Sequence, residues 1–339
     1  MRIPEVNGIK WTRVFFVIVP LLLASCAGAS EEQMVQRAKE YLAQKKVSYA
    51  AIELKNILQA NPKNAEARYL LGKVNMGAGD FASAKKEFQR AIEAGGSSEE
   101  ATIGKMQAML ALREYKEIID DKASADGWST TAQANMLAIK AAAALAEGDS
   151  LQAKNLLVAA ENIDAEAYEV LKTTIQLQLV DKQYVDAGAT LSKALELYPD
   201  DSALLMQKAE LAIQEKDIAA AITICQQIID SNSGKIMSPD TRQAHICILK
   251  LAILQNDFEL AHKSRDALLT RNSGDPEALY FAAVAAFEEK EFDRAKEYLQ
   301  KILKVAPGHA PTLLLSGVVN YAKQDYEQAT YYFSKYLVI

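Results

Sequence analysis

Few side chains in this 339-residue sequence have the types and spacing that chemistry requires. Its three histidines, His245, His262 and His309, form no H-E-x-x-H motif and no pair four residues apart, so no helix offers two imidazoles to one zinc ion. Neither G-x-S-x-G nor G-x-x-x-x-G-K-[ST] occurs, which removes the serine-hydrolase and P-loop readings. The acidic pairs Asp120-Asp121, Asp200-Asp201 and Glu288-Glu289 read as solvated residues of turns and helix ends. Cys26, Cys225 and Cys247 lack C-x-x-C spacing and are too few for a disulfide framework. The expectation is a protein with no catalytic residues, no bound metal and no cofactor. Nucleic acid is also excluded as a partner, because 38 Lys and Arg stand against 44 Asp and Glu, for a net charge of −6 with no basic run to follow a phosphate backbone.

Cys26 belongs to a motif of another kind. Arg2, Lys10 and Arg13 precede an apolar run from Val14 to Ala24, broken only by Pro20. A spanning helix needs roughly 20 apolar residues, so this run is too short to cross a bilayer and fits the apolar core of an export signal. Leu23-Ala24-Ser25-Cys26 then resembles the bacterial lipobox. That resemblance implies a signal peptide over 1–25, acylation of Cys26 by diacylglycerol and palmitate-type chains, and a short tether over 26–30. Several acyl chains hold a protein stably on a membrane surface. Ala27 after the cysteine implies sorting to the outer membrane of a Gram-negative bacterium, facing the periplasm.

The rest of the sequence must supply the frame. Only 15 glycines and 8 prolines interrupt it, which favours long helices. Alanines recur at Ala50, Ala84, Ala153, Ala187, Ala221, Ala261, Ala295 and Ala329, in steps of 34, 69, 34, 34, 40, 34 and 34 residues. One rung, near Ile118, is degenerate. Four residues before the alanines runs an acidic ladder, Asp80, Asp149, Asp217, Asp257, Glu291 and Asp325, and twelve after them stand Pro62, Pro199 and Pro307. This pattern resembles the tetratricopeptide repeat (TPR), a helix-turn-helix unit of 34 residues. The clearest copy is 65–98, with Leu71-Gly72, Asp80-Phe81, Ala84, Phe88 and Ala91. Small residues paired as Gly72 with Ala84 and Gly317 with Ala329 let two helices approach, large residues fill the space between units, and each proline stops a second helix.

The implied fold is all-α, a right-handed TPR superhelical solenoid of about nine units. The units run 31–64, 65–98 and a degenerate 99–129, with the others starting at Ala134, Tyr168, Ser202, Arg242, Pro276 and Ala310. Loose joints at 121–131 and 231–241 divide the array into sections 31–130, 131–235 and 236–339. The apolar end, Phe333 to Ile339, has no polar capping helix, so the sequence reads as the N-terminal part of a longer repeat protein. Cys225 takes a buried position of its unit and Cys247 lies in the first helix of the next. Two buried thiols are the expected state, with a disulfide between consecutive units as the alternative.

In TPR proteins the first helices line a concave groove for a protein or peptide segment. The resemblance carries that role onto Tyr69, Lys73 and Met76; Met206, Glu210 and Ile213; Tyr280, Val284 and Phe287; and Leu314, Val318 and Tyr321. The lipobox together with Ala51 to Gln59, Asn64 to Lys73, Gly79 to Ala84 and the block from Asp275 to His309 is similar to the TPR lipoproteins of the PEP-CTERM/exosortase system. That likeness implies an outer-membrane scaffold accompanying exopolysaccharide production and PEP-CTERM protein sorting. An outer-membrane assembly or pilus-type pilotin lipoprotein is the alternative, and the N-terminal part of a TPR-containing enzyme a third reading.

Overall fold

The computed structural model describes residues 30–96, 98–122, 125–232 and 237–339. The expected signal peptide, the lipobox-like stretch and Cys26 lie outside the described residues. Among them the chain is helical throughout. The N-terminal helices are α1 (Glu31–Ala43), α2 (Val47–Ala60), α3 (Ala65–Gly77), α4 (Phe81–Glu93), α5 (Ser98–Ala111) and α6 (Tyr115–Ile119). The central ones are α7 (Thr130–Ala146), α8 (Ser150–Asp164), α9 (Tyr168–Val180), α10 (Tyr184–Leu197), α11 (Ser202–Gln214) and α12 (Ile218–Ser231). The series ends with α13 (Pro239–Gln255), α14 (Phe258–Arg271), α15 (Pro276–Glu288), α16 (Phe292–Val305), α17 (Ala310–Ala322) and α18 (Tyr326–Leu337). Odd and even helices pair into nine units, the expected TPR solenoid.

The backbone of the turns keeps the period better than any side chain. One residue in each turn between paired helices has positive φ: Lys45, Gly79, Arg113, Gly148, Lys182, Lys216, Asn256, Lys290 and Gln324. Arg113 supplies the rung that the alanine ladder lacks, so the third unit is regular at its turn and degenerate only in α6. In each case the next residue donates its N–H back to a carbonyl five residues earlier, as in Asp80 to Asn75 at 2.9 Å and Asp325 to Asn320 at 2.9 Å. This is the Schellman closure, which satisfies carbonyls left open at a helix end. The acidic ladder then acquires its reason. Asp80, Asp149, Asp217, Asp257 and Asp325 each accept a hydrogen bond from the N–H three residues on, capping the second helix. The proline ladder works as expected: α2, α10 and α16 stop at Ala60, Leu197 and Val305, and the residue before each proline has φ near −130°.

Two first helices begin earlier than the spacing predicts. The unit placed at Ala134 starts its helix at Thr130, because the Ser129 hydroxyl accepts from the N–H of Ala132. The unit placed at Arg242 starts at Pro239, where Ser238 caps and the proline sits in the first turn, a position that needs no N–H. Both loose joints are correspondingly narrower. Trp128 packs onto the core formed by Met106, Ile118, Met136 and Ile139.

From α3 onward each first helix packs on the first helix of the following unit, whereas successive second helices stand apart. The odd helices therefore occupy the inside of the curve. Consecutive cores abut along the array, as the core of Leu54, Leu58, Leu70 and Leu71 leads to that of Ala84, Phe88 and Ala108. The curvature brings distant units together: Lys45 Nζ donates a long hydrogen bond of 3.4 Å to the Ser231 carbonyl, and the Pro239 ring lies against Gly79. Among the described residues no helix is long and apolar enough to cross a membrane.

Candidate functional site: a cleft on the inner helices

The twelve groove positions do not form one site. Tyr69, Lys73 and Met76, all on α3, come together with α5 and the start of α7 to line a cleft of about 450 Å³. Its floor is Phe88 and Gly104, and its walls include Ile103, Gln107, Thr131 and Asn135. Tyr69 is half-buried with its ring 5.9 Å from that of Phe88, and Lys73 Nζ lies 5.7 Å from the Tyr69 ring centroid. Burial and the nearby charge of Glu100 push the Tyr69 phenol above its ordinary pKa, so it stays a hydrogen-bond donor at neutral pH.

A polar layer behind the cleft fixes its wall. Glu169 is 1% exposed. Its carboxylate accepts from Gln107 Nε2 at 2.7 Å and meets Lys172 Nζ at 2.7 Å, while its N–H donates to Asn135 Oδ1 at 3.0 Å. These contacts tie α5, α7 and α9 together across three units. At the rim, Glu99 accepts from the Ser129 N–H at 3.2 Å and from its hydroxyl at 2.7 Å, and Glu100 is exposed. The cleft thus offers an aromatic and thioether surface with one cation and two carboxylates at its edge. Such a surface suits an apolar side chain on an extended or helical protein segment.

The other positions divide by role. Met206 and Ile213 pack against the core shared by α11, α12 and α13, so they hold units together, while Glu210 beside them is exposed. Phe287 packs onto Ala283 and Leu299, with its ring 5.8 Å from Phe292. Tyr280 is half-buried, edge-on to Phe281 at 5.3 Å and to His309 at 6.4 Å, and Val284 is half-buried near it in sequence. Leu314 and Tyr321 are open at 40% and 62% exposure, with Val318 half-buried between them. Glu100, Ile103, Gln107 and Asn135 went unread in the sequence. They occupy the second, fifth and ninth positions of the third unit and the second position of the fourth, so the same rule applied to the degenerate unit would have found them.

Two of the histidines meet partners on the solenoid. His262 meets Glu289 at 2.7 Å on the next unit, and His309 Nδ1 pairs with the Thr312 hydroxyl at 2.7 Å where α17 begins. His245 is held below the ordinary histidine pKa by burial and by Lys263. Among the described residues no group of three or more His, Cys, Asp and Glu side chains is arranged to hold a metal ion.

A solenoid of nine helical pairs with a side-chain-lined cleft on its inner helices is a repeat scaffold of the binding kind. The chain belongs to the tetratricopeptide repeat superfamily: tetratricopeptide repeat models match residues 41–110, 179–234 and 250–310. No curated protein matches the chain. Among solved structures it is similar to PilW, a widely conserved type IV pilus biogenesis factor, with TM-score 0.54 and 17% identity over 60% of this chain and 91% of that one. It is also similar to a monomeric mutant of IFIT1 in complex with Gppp-AAAA, with TM-score 0.52 and 14% identity over 88% and 79%. Pseudomonas aeruginosa pilF aligns at TM-score 0.35 and 16% identity over 75% and 96%. At these identities the likeness is one of fold.

Proposed function

We propose that this chain is a non-catalytic, lipid-anchored TPR scaffold on the periplasmic face of the outer membrane, holding protein partners of an envelope export or exopolysaccharide/PEP-CTERM sorting system. The cleft of Tyr69, Met76, Ile103 and Gln107 carries the binding part of this reading, because it sets a recessed apolar floor beneath a charged rim on rigid helices. The charge, apolar length and lipobox ahead of Cys26 carry the anchor. A pull-down from envelope extracts compares the wild type with Tyr69→Ala combined with Tyr280→Ala. The variant is expected to lose specific partners by about tenfold or more, since each aromatic anchor that touches the partner is worth about 1.4 kcal/mol. Identical partner sets would sink the groove assignment.

The anchor has its own test. Cys26→Ala is expected to move the protein from the membrane to the soluble fraction and to abolish uptake of labelled palmitate, and a variant that still fractionates with membranes and takes up the label would refute lipidation. A pilus-type pilotin is the second reading, favoured by the likeness to PilW over 60% of this chain. Recovery of pilus-assembly proteins in the same pull-down would select it.

A further inference from the structure

Between the sixth and seventh units, two cysteines meet inside one core. Cys225 on α12 is fully buried, Cys247 on α13 is 8% exposed, and both belong to one apolar cluster with Ile224, Ile228, Ala244 and Ile248. Both are free thiols on adjacent helices of that cluster. Their positions explain the meeting. Cys225 is the twenty-fourth residue of its unit and Cys247 the sixth of the next, and the same register brings the Phe88 ring against Gly104 and places Leu54 with Leu70 in one core. Elsewhere this register serves only packing. Here it holds two groups that can be joined covalently, and the bond would span the joint between α12 and α13.

We infer that Cys225 and Cys247 are a paired dithiol site, oxidised by a disulfide donor, small molecule or protein, to a bridge that fastens unit six to unit seven. The Cys247 thiolate attacks a sulfur of the donor and forms a mixed disulfide, releasing the donor's other half as a thiolate. The Cys225 thiolate then attacks Cys247 sulfur in that mixed disulfide, expelling the second half of the donor. Two protons pass to solvent, the donor gains two electrons, and the protein loses two hydrogens. The order follows from access and charge. Cys247 is the thiol with residual exposure, and the neighbouring Cys225 thiol and the charge of Lys250 hold its pKa below the usual thiol value against the opposing effect of burial. The neighbouring Cys247 thiol and burial push the Cys225 thiol up, which suits the resolving role.

The test uses the full chain with Cys26→Ser, so that Cys225 and Cys247 are its only thiols. After native incubation with oxidised glutathione and tryptic digestion without reductant, peptides 217–235 and 243–250 are expected to be joined. The intact mass should fall by two hydrogens with no glutathione retained, and thermal unfolding should occur at a higher temperature than for the dithiol. With Cys225→Ser added, one glutathione should remain on Cys247. With Cys247→Ser added instead, glutathione should attach to Cys225 about tenfold more slowly or less. Full alkylation of both thiols after the oxidant, or bridging only in denaturant, overturns the site. Equal adduct rates in the two single variants overturn Cys247 as the attacking thiol.

Discussion

Replacing Phe88 with alanine is expected to destabilise the N-terminal units by about 3–5 kcal/mol, the cost of emptying a large aromatic site in a core. Phe88 is 2% exposed and stands between two glycines of different units. A Cβ on Gly72 would fall 2.6 Å from its ring, and one on Gly104 would fall 2.7 Å from it. Both glycines exist at the size of a hydrogen atom because the ring occupies their side-chain space. With the ring gone, neither neighbour has atoms to fill the gap, so the cavity term applies in full. Urea titration followed by hydrogen exchange checks this: protection should fall in α3, α4 and α5 and survive in α13 to α18, since repeat units depend on their neighbours. A loss below about 1 kcal/mol, or a loss spread evenly along the array, would contradict the packing argument. Because Phe88 is also the floor of the cleft, the same change should weaken partner capture even where the fold persists.

Asp275 is the second position where one side chain carries much. It is 4% exposed, and its two oxygens take the Arg242 guanidinium at 2.6 and 2.8 Å. One of them also accepts from the N–H groups of Glu277 and Ala278 at the start of α15. Burial alone would raise its pKa. The hydrogen bond from Arg242, the Ala278 N–H, the Arg242 charge and the Glu277 N–H together outweigh burial and hold the carboxyl below the usual carboxylate range. Asp275→Ala is expected to cost about 2–4 kcal/mol, combining a lost helix cap with lost charge-assisted hydrogen bonds. Asp275→Asn keeps a capping oxygen and should cost about 1–2 kcal/mol. The sign with pH is fixed by the lowered pKa. Stability from this group is fully present above the unfolded carboxyl value near 3.9 and is lost as pH falls through the lower folded value. Thermal denaturation of wild type and Asp275→Ala between pH 7 and pH 2 should therefore show a gap that is constant near neutrality and closes in acid. A gap that widens in acid would refute the assignment.

The period of this fold is legible in its sequence because close helix crossings tolerate only small side chains. Ala84, Ala153, Ala187, Ala221, Ala261, Ala295 and Ala329 are 0–2% exposed, so the ladder records a steric requirement. Helix starts are less legible. They are set by the local hydrogen bonds of Ser129 and Ser238, which a spacing rule does not see and which move two boundaries by about one turn. The cleft is legible in part. Tyr69, Lys73 and Met76 follow from their places on one helix face, whereas Glu169 contributes from two units away through contacts that only curvature creates. Exposure separates Met206 and Ile213 from Tyr321: all three sit at groove positions, but the first two pack onto a core shared with the following unit.

The touch of Lys45 on Ser231 and of Gly79 on Pro239 gives the molecule a mechanical order. Neighbouring units share continuous apolar cores, whereas among the described residues this fastening shows one long hydrogen bond and the edge of a proline ring. Tension applied between the two ends of the array is expected to part the fastening first and to leave every helix pair intact. The solenoid is therefore expected to act as a latched spring in a pulling experiment, lengthening by release before any unit unfolds.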